Sequence, residues 1–386
     1  MISIKKIRRT ILMICSFLLV LSNIYTIAKY VAVLLIGAMV LYSINVKGLS
    51  RIRASVMVIL MCFWIMCFPF QDLPTRQYFD SILYYIVLLM ISLLGDYFIE
   101  SADDYLKLAK GFIAGMALVF FYSPQKLLYQ MSGVYNSRER ISGSFLHPNT
   151  LGGAAVAAIM LLLLYKNSKE SINRKRDNLL YFGTIAILLL CINLSGSRGA
   201  IVEILILFCV YFCKFLHRCP NRVRFLLGVC LLGLGIYVVY SFFITYALND
   251  ISYLSRINGM TNLNLDIRHA IFGYGMGNSS SIDYRLLSTG SMEIAWVKLL
   301  YKNGWIGVAT FILILGINVA NAISLLSGEK RIVWFAIFLA FLAQSFAESV
   351  MIAIFNESPI IVWLCISSAP YVLKNICIAC KSVDRG

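Results

Sequence analysis

The chain has 386 residues, of which 60% are hydrophobic and only 13% charged; its mean hydropathy is +0.82 and its formal net charge +16. Soluble domains sit near about 45–50% apolar with about 25% charged residues, so this composition excludes a soluble enzyme, a disordered tail and a secreted disulfide scaffold. Apolar runs recur along nearly the whole length, which also excludes a protein held by one anchor.

Crossing a bilayer core takes roughly 20 residues. Apolar runs lie near 10–28, 30–46, 54–70, 80–98, 107–124, 149–165, 178–194, 199–216, 224–245, 304–326, 332–352 and 359–376. They predict an all-α polytopic transmembrane helical bundle of about 12 spans (11–13), a single membrane domain over residues 1–386. The first run has a basic lead but continues too long for a signal peptide, and no small-x-small cleavage site follows it. It reads as a retained span.

The charge follows the positive-inside bias. With a cytoplasmic N-terminus, that side receives Lys5, Lys6, Arg8, Arg9, Lys47, Arg51, Arg53, Lys107 and Lys110. It also receives Lys166, Lys169, Arg174, Lys175, Arg176, Lys214, Arg218, Arg222, Arg224, Lys330, Arg331, Lys374, Lys381 and Arg385. About half as many fall on the other side. Both termini are expected in the cytoplasm of a bacterial cell, and no nucleic-acid footprint is visible. Most of the 11 Cys lie inside the spans, where Cys packs as a small apolar side chain. Cys377 and Cys380 form a lone C-x-x-C with no second pair and no nearby His, too little for zinc. No metal site and no cofactor are expected.

Two outer connections are long: residues 125–148, and residues 246–302 between spans 9 and 10. Long loops in a compact domain are commonly functional or disordered. The second is rich in Asn and Ser and is expected to hold a short amphipathic helix from about Met292 to Tyr301. A transporter site is normally built from broken helices near the midplane, so a loop this size favours chemistry or recognition on the outer face.

Four constellations stand out. The first, Arg138-Glu139-Arg140 through His147-Pro148-Asn149, sets guanidiniums, an imidazole and an amide at an outer interface, although Pro at the start of a helix is also ordinary N1 chemistry. The second, Ser195-Gly196-Ser197-Arg198-Gly199, joins the seventh and eighth spans. Arg198 either snorkels to the interface or shares one anion with backbone N–H groups at a positive helix end. The third is Arg256, then Arg268-His269 and Gly273-Tyr274-Gly275-Met276-Gly277. No strand precedes these glycines, so a sharp turn suits them better than a dinucleotide fingerprint. The fourth is Glu293, followed by the short helix and Asn303-Gly304-Trp305-Ile306-Gly307; a capping role for Glu293 competes with a chemical one.

Together these segments resemble the O-antigen ligase and polymerase superfamily, the Wzy-type enzymes of bacterial polysaccharide assembly, over residues 138–310. Ligase-like members commonly carry a His-Asn pair on the helix after the glycine turn; here the stretch reads Met292-Glu293-Ile294-Ala295, as in many polymerase-like members. The resemblance implies a polysaccharide polymerase at the outer face of the cytoplasmic membrane, a glycosyltransferase acting on a polyprenyl-diphosphate-linked oligosaccharide donor and acceptor. A chain-length regulator protein is an implied partner. Negative charge on the leaving diphosphate needs stabilising, and the attacking hydroxyl must lose a proton. Arg198 and Arg256, then Arg140, are expected to grip the diphosphate, with Arg268, His147 and Asn149 as further binding residues. Glu293 is the expected general base and His269 the second candidate. The adjacent acids Asp103-Asp104 fall on the cytoplasmic side, so a metal-independent mechanism is expected. Glu203, inside a span, is expected to anchor the Arg198 hairpin. Two other readings stand beside this one: a ligase passing glycan to a different acceptor, and a lipid-linked oligosaccharide flippase.

Overall fold

The structure is a computed structural model that describes residues 4–72, 75–131, 140–168, 175–216, 265–275, 294–347 and 356–383. Among these residues every regular element is helical. In chain order they are α1 (Ile4–Leu21), α2 (Thr26–Lys47), α3 (Arg51–Cys67) with a 3-10 turn (Phe68–Phe70), α4 (Thr75–Leu93), α5 (Gly95–Phe98), α6 (Ala102–Phe121) and α7 (Pro124–Met131). There follow α8 (Pro148–Asn167), α9 (Lys175–Ser195), α10 (Arg198–Leu216), α11 (Ile267–Phe272), α12 (Ala295–Leu325), α13 (Gly328–Ala347) and α14 (Glu357–Val383).

Five of the described helices are long and apolar enough to cross a membrane: α2, α3 with its 3-10 turn, α8, α9 and α12. A sixth is added if α6 and α7, which meet at 74°, form one broken span. Helices α1 and α6 fall short because each opens with four charged residues: Lys5, Lys6, Arg8 and Arg9 in one, Asp103, Asp104, Lys107 and Lys110 in the other. The expected ninth span, near 224–245, lies outside the described residues.

Helix α8 runs through the middle of the bundle and touches α6, α9, α10, α13 and α14. Its sequence explains its position. Gly152, Gly153, Ala154, Ala155, Ala157 and Ala158 are small on all sides, so neighbouring backbones come close, and all six are buried. Helix α1 lies along α6 through a G-x-x-x-G, Gly111 to Gly115. A Cβ on Gly111 would overlap Met13 O, and one on Gly115 would sit 3.0 Å from Val20 Cβ.

One end of the bundle is tied by ion pairs. Asp104, 3% exposed, meets Arg8 at 3.2 Å and Arg9 at 3.7 Å while capping Glu100 N and Ser101 N at 2.9 and 3.0 Å. Arg9 reaches Asp103 at 2.9 Å, Arg8 and Lys47 both reach Glu100, and Arg53 binds both oxygens of Asp96 at 2.9 and 3.0 Å. Chain direction from this knot fixes the opposite end. There the turn after α3 ends at Gln71-Asp72, α6 turns into α7, and α8 begins.

Two expectations about the outer loops change. The 125–148 segment contains α7 rather than only loop. The short helix begins at Ala295 instead of Met292 and runs on into the following apolar helix. The two parts are separated only by Gly304, whose φ of 62° breaks the helical path.

Candidate functional site

Two of the sequence constellations meet at the end away from the ionic knot. The extended segment 140–147 is cinched into the α6–α7 corner. Gln130 Oε1 accepts from Ser142 N at 3.2 Å and Gly143 N at 3.0 Å, and Ser144 Oγ accepts from Ser123 N at 3.1 Å. Gly143 takes a φ of 57°, and a Cβ there would meet the backbone of Phe120, so the tight corner requires glycine. Ile141 N then donates to Leu194 O at 2.9 Å, which lays the segment against the hairpin between α9 and α10.

Arg140 closes that contact. Its Nε donates to Ser195 O at 2.9 Å and its Nη2 to Asn149 Oδ1, and its methylene stem lies against Gly196. His147 is the N-cap of α8 and accepts from Asn149 N through Nδ1 at 3.1 Å, so its proton sits on Nε2. Ser195 and Ser197 are buried and occupied. Ser195 Oγ donates to Ile192 O at 2.7 Å, and Ser197 Oγ accepts from Ala200 N at 3.4 Å as the cap of α10. The serines therefore shape the hairpin, and half-buried Arg198 stands at the first residue of α10. The N-terminus of α8 comes close to the hairpin too: a Cβ on Gly152 would sit 2.6 Å from Ser197 Cβ. Two positive helix ends and the Arg140 guanidinium thus share one neighbourhood, a setting suited to an anion. Glu203 lies below Arg198 on α10 and is 1% exposed.

A second cluster forms where the turn after α3 meets α11. His269, 6% exposed, places Nδ1 2.6 Å from Asp266 Oδ1 and Nε2 2.8 Å from Asp72 Oδ2. Arg268 Nη2 donates to Asp72 Oδ1 at 2.5 Å and lies 2.9 Å from His269 Nε2. Asp266 is also the N-cap of α11, accepting from His269 N at 2.7 Å, and that peptide hydrogen bond leads the causes that hold its carboxyl below the usual range. The imidazole stacks on Tyr274 at 3.8 Å, and Tyr274 on Tyr301 at 4.6 Å. Burial, helped by the Asp266 and Asp72 carboxylates, pushes the Tyr274 phenol up.

The third and fourth constellations also join. Tyr274 N donates to Tyr301 O at 2.9 Å and Gly275 N to Lys302 O at 2.7 Å. Gly273, with φ of 72°, leaves no room for a Cβ beside Lys302 O and Asn303 N, and Gly304 leaves none beside Ile271 O. The two glycines interlock, so the glycine turn is a backbone clamp, as its lack of a preceding strand suggested. Asn303 Nδ2 donates to Tyr85 OH at 2.9 Å, Tyr85 stacks on Trp64 at 4.2 Å, and Trp64 Nε1 returns to Thr310 Oγ1 at 3.0 Å. This aromatic floor joins α3, α4 and α12.

Of the expected site residues, Arg140, His147, Asn149 and Arg198 come together at the α8–α10 corner, and Arg268 with His269 at the α11 cluster. Glu293 and Arg256 lie outside the described residues. Sequence reasoning missed Asp72 and Gln71, whose Nε2 donates to Phe272 O at 2.7 Å beside the stacked rings of Phe70 and Phe272. Their only signal was an acid and an amide following Phe68-Pro69-Phe70 at the end of an apolar run. Asp103 and Asp104 are taken up by Arg8 and Arg9 at the far end. Among the described residues no group of three or more His, Cys, Asp or Glu is arranged to hold a metal ion. No protein-family model matches the chain, and no curated protein matches it at a significant level.

Proposed function

We propose that the chain is a polysaccharide polymerase, a glycosyltransferase that joins polyprenyl-diphosphate-linked repeat units at the outer face of a bacterial cytoplasmic membrane. The observation that carries this reading is the convergence of the Arg140 segment with the Arg198 hairpin. Segments 55 residues apart along the chain are held together by Arg140 Nε on Ser195 O, at the start of α8 and α10. A half-buried guanidinium fixed through Nε on Ser195 O and Nη2 on Asn149 Oδ1 sets positive charge beside the starts of α8 and α10, which supports a site for phosphate oxygens.

In this reading about 12 spans cross the membrane, the ninth among the residues not described, and both termini are cytoplasmic. The ion-paired end is then the cytoplasmic one. The hydroxyl of an acceptor sugar attacks the anomeric carbon of the donor, the carbon–oxygen bond to the diphosphate breaks, and the lipid diphosphate leaves with the electron pair. Arg140, Arg198 and Arg256, with Arg268, His147 and Asn149 as further binding groups, stabilise that charge. Glu293 takes the proton of the attacking hydroxyl. His269 serves as base only when one of its two carboxylates releases it, because both ring nitrogens lie within hydrogen-bonding reach of carboxylate oxygens. A chain-length regulator would act on the same growing polymer. The engagement of Asp103 and Asp104 with arginines supports a mechanism in which guanidiniums, not an Asp-held metal, meet the diphosphate charge.

Deleting the gene and examining the surface glycan tests this. Single repeat units in place of long chains support a polymerase. Three outcomes overturn it: full-length lipid-linked polymer that is not transferred identifies a ligase, lipid-linked units trapped on the inner leaflet identify a flippase, and unchanged glycan removes the whole reading.

A further inference from the structure

The Asp72–His269–Asp266 cluster joins residues almost 200 positions apart, and the two carboxylates that hold His269 have no part in the chemistry assigned above. An imidazole can give hydrogen bonds to two carboxylates at once only when both nitrogens carry protons. The charges then balance: Asp72 and Asp266 against Arg268 and the imidazolium. Loss of one proton turns a nitrogen into an acceptor that faces a carboxylate oxygen at 2.6 or 2.8 Å, and one of the two contacts becomes repulsive. Arg268 Nη2, 2.9 Å from Nε2, is the donor positioned to take over that nitrogen, at the expense of its bond to Asp72.

We propose that His269 is a proton-operated clasp and Asp72 its positioning residue: while the imidazole is doubly protonated, Asp72 holds residues 265–275 against the end of α3. What the clasp holds reaches further. Gln71 and Phe70 grip Phe272 from the same turn, and Gly273 to Gly275 lie on Tyr301 and Lys302 of α12. Segment 265–275 is part of the 246–302 connection, so the clasp fixes this stretch of it against the bundle. Among the described residues, the titratable and charged groups around His269 are Asp72 from the turn after α3 and Asp266, Arg268 and Tyr274 from its own segment, with Tyr301 and Lys302 of α12 meeting that segment through their carbonyls. Tyr274 contributes a ring face and Tyr301 lies behind it. The clasp stands whether or not the chain transfers sugars.

The test is amide hydrogen exchange of peptides covering 267–275 in the full-length protein in nanodiscs, at about pH 5.5 and about pH 8.5. After correction for the intrinsic effect of pH, exchange in the wild type is expected to rise at least about tenfold at the higher pH, with α8 peptides unchanged. His269→Phe keeps a ring to stack on Tyr274 and removes both nitrogens; it is expected to exchange fast at both pH values. Asp72→Asn offers the neutral imidazole an N–H donor and is expected to flatten the pH dependence without abolishing protection. Equal wild-type protection at both pH values overturns the clasp, as does a His269→Phe protein protected like the wild type. An Asp72→Asn protein with the full wild-type pH response removes Asp72 from it.

Discussion

Arg140 Nε donates to Ser195 O at 2.9 Å, and through that one bond the segment before α8 and the hairpin before α10 become a single structure. The bond goes to the carbonyl of buried Ser195, next to Gly196 with its φ of 56°. Arg140→Lys keeps a positive charge but loses the planar fork that serves Ser195 O and Asn149 Oδ1 together. It is expected to lower polymer output at least about tenfold, and Arg140→Ala further, with both proteins still inserted. Gel ladders of surface glycan, with membrane-fraction blots as control, measure this. Wild-type ladders from Arg140→Ala would remove Arg140 from the site.

The Gly273–Gly304 interlock yields a stability prediction. Alanine at either position meets a left-handed backbone and a carbonyl that has no room to move. Each substitution is expected to cost at least about 2 kcal/mol, seen as a lower melting temperature in detergent. Gly316→Ala on the same helix is the control. Nothing lies within 4 Å of a Cβ there, so it is expected to be neutral or stabilising.

At the opposite end, Arg8→Ala removes a main counter-charge of Asp104, whose side chain is 4% exposed. Stranding a buried carboxylate outright costs about 3–5 kcal/mol; Arg9 and two peptide N–H groups stay on Asp104, so this variant is expected to lose part of that, seen as a lower melting temperature. Lys5→Ala, which involves an exposed residue, is expected to stay within about 0.5 kcal/mol.

Asp266 sets the acid limit of α11. Its carboxyl is held below the usual range, chiefly by accepting from the His269 peptide N–H. The stabilisation is therefore present above the unfolded value of about 3.9 and is lost as pH falls through the lower folded value. Exchange at 267–272 is expected to rise again below about pH 4, and Asp266→Asn is expected to remove that acid limb. An Asp266→Asn protein with an unchanged acid limb would assign it elsewhere.

The buried pair Asn23 and Glu357 shows what polar groups require inside the bundle. Asn23 Nδ2 donates to Glu357 Oε1 at 3.1 Å, where α1 ends and α14 starts, and both residues are buried. Glu357→Gln retains an acceptor of the same shape and is expected to change stability by less than about 1 kcal/mol. Glu357→Leu leaves the Asn23 amide with one fewer partner and is expected to cost about 1–3 kcal/mol. Thermal unfolding of the two proteins side by side decides this.

The all-helical character was legible in the sequence because apolar runs near the length of a bilayer core constrain little else. The Arg140 and Arg198 segments were legible because Gly, Ser and Arg clustered between such runs have few uses. Their meeting was not, since nothing local records that Ile141 N finds Leu194 O. Asp72 escaped for a related reason: one carboxylate after an aromatic turn has no signature until His269 and Arg268 arrive from nearly 200 residues away. A short helix was expected from about Met292 to Tyr301, and the described helix opens at Ala295. Amphipathic spacing marked its body, whereas its join to the next helix depends on Gly304 adopting a backbone that spacing does not reveal. Gly111 and Gly115 were in plain view at the right interval, and their use in seating α1 appears only with the partner in place.

The ionic knot has a consequence for how the chain is made. Membrane insertion counts Lys and Arg near the ends of spans and gives Asp and Glu little weight. In the orientation proposed above, Arg8, Arg9, Lys47 and Arg53 would act as orientation signals during synthesis, while Asp96, Glu100, Asp103 and Asp104 would pass almost unread. In the finished fold the same four cations each meet an acid from the second group. The charge that would steer the nascent chain is cancelled once steering is over, leaving the mature protein a nearly neutral seam where its growing form carried a label.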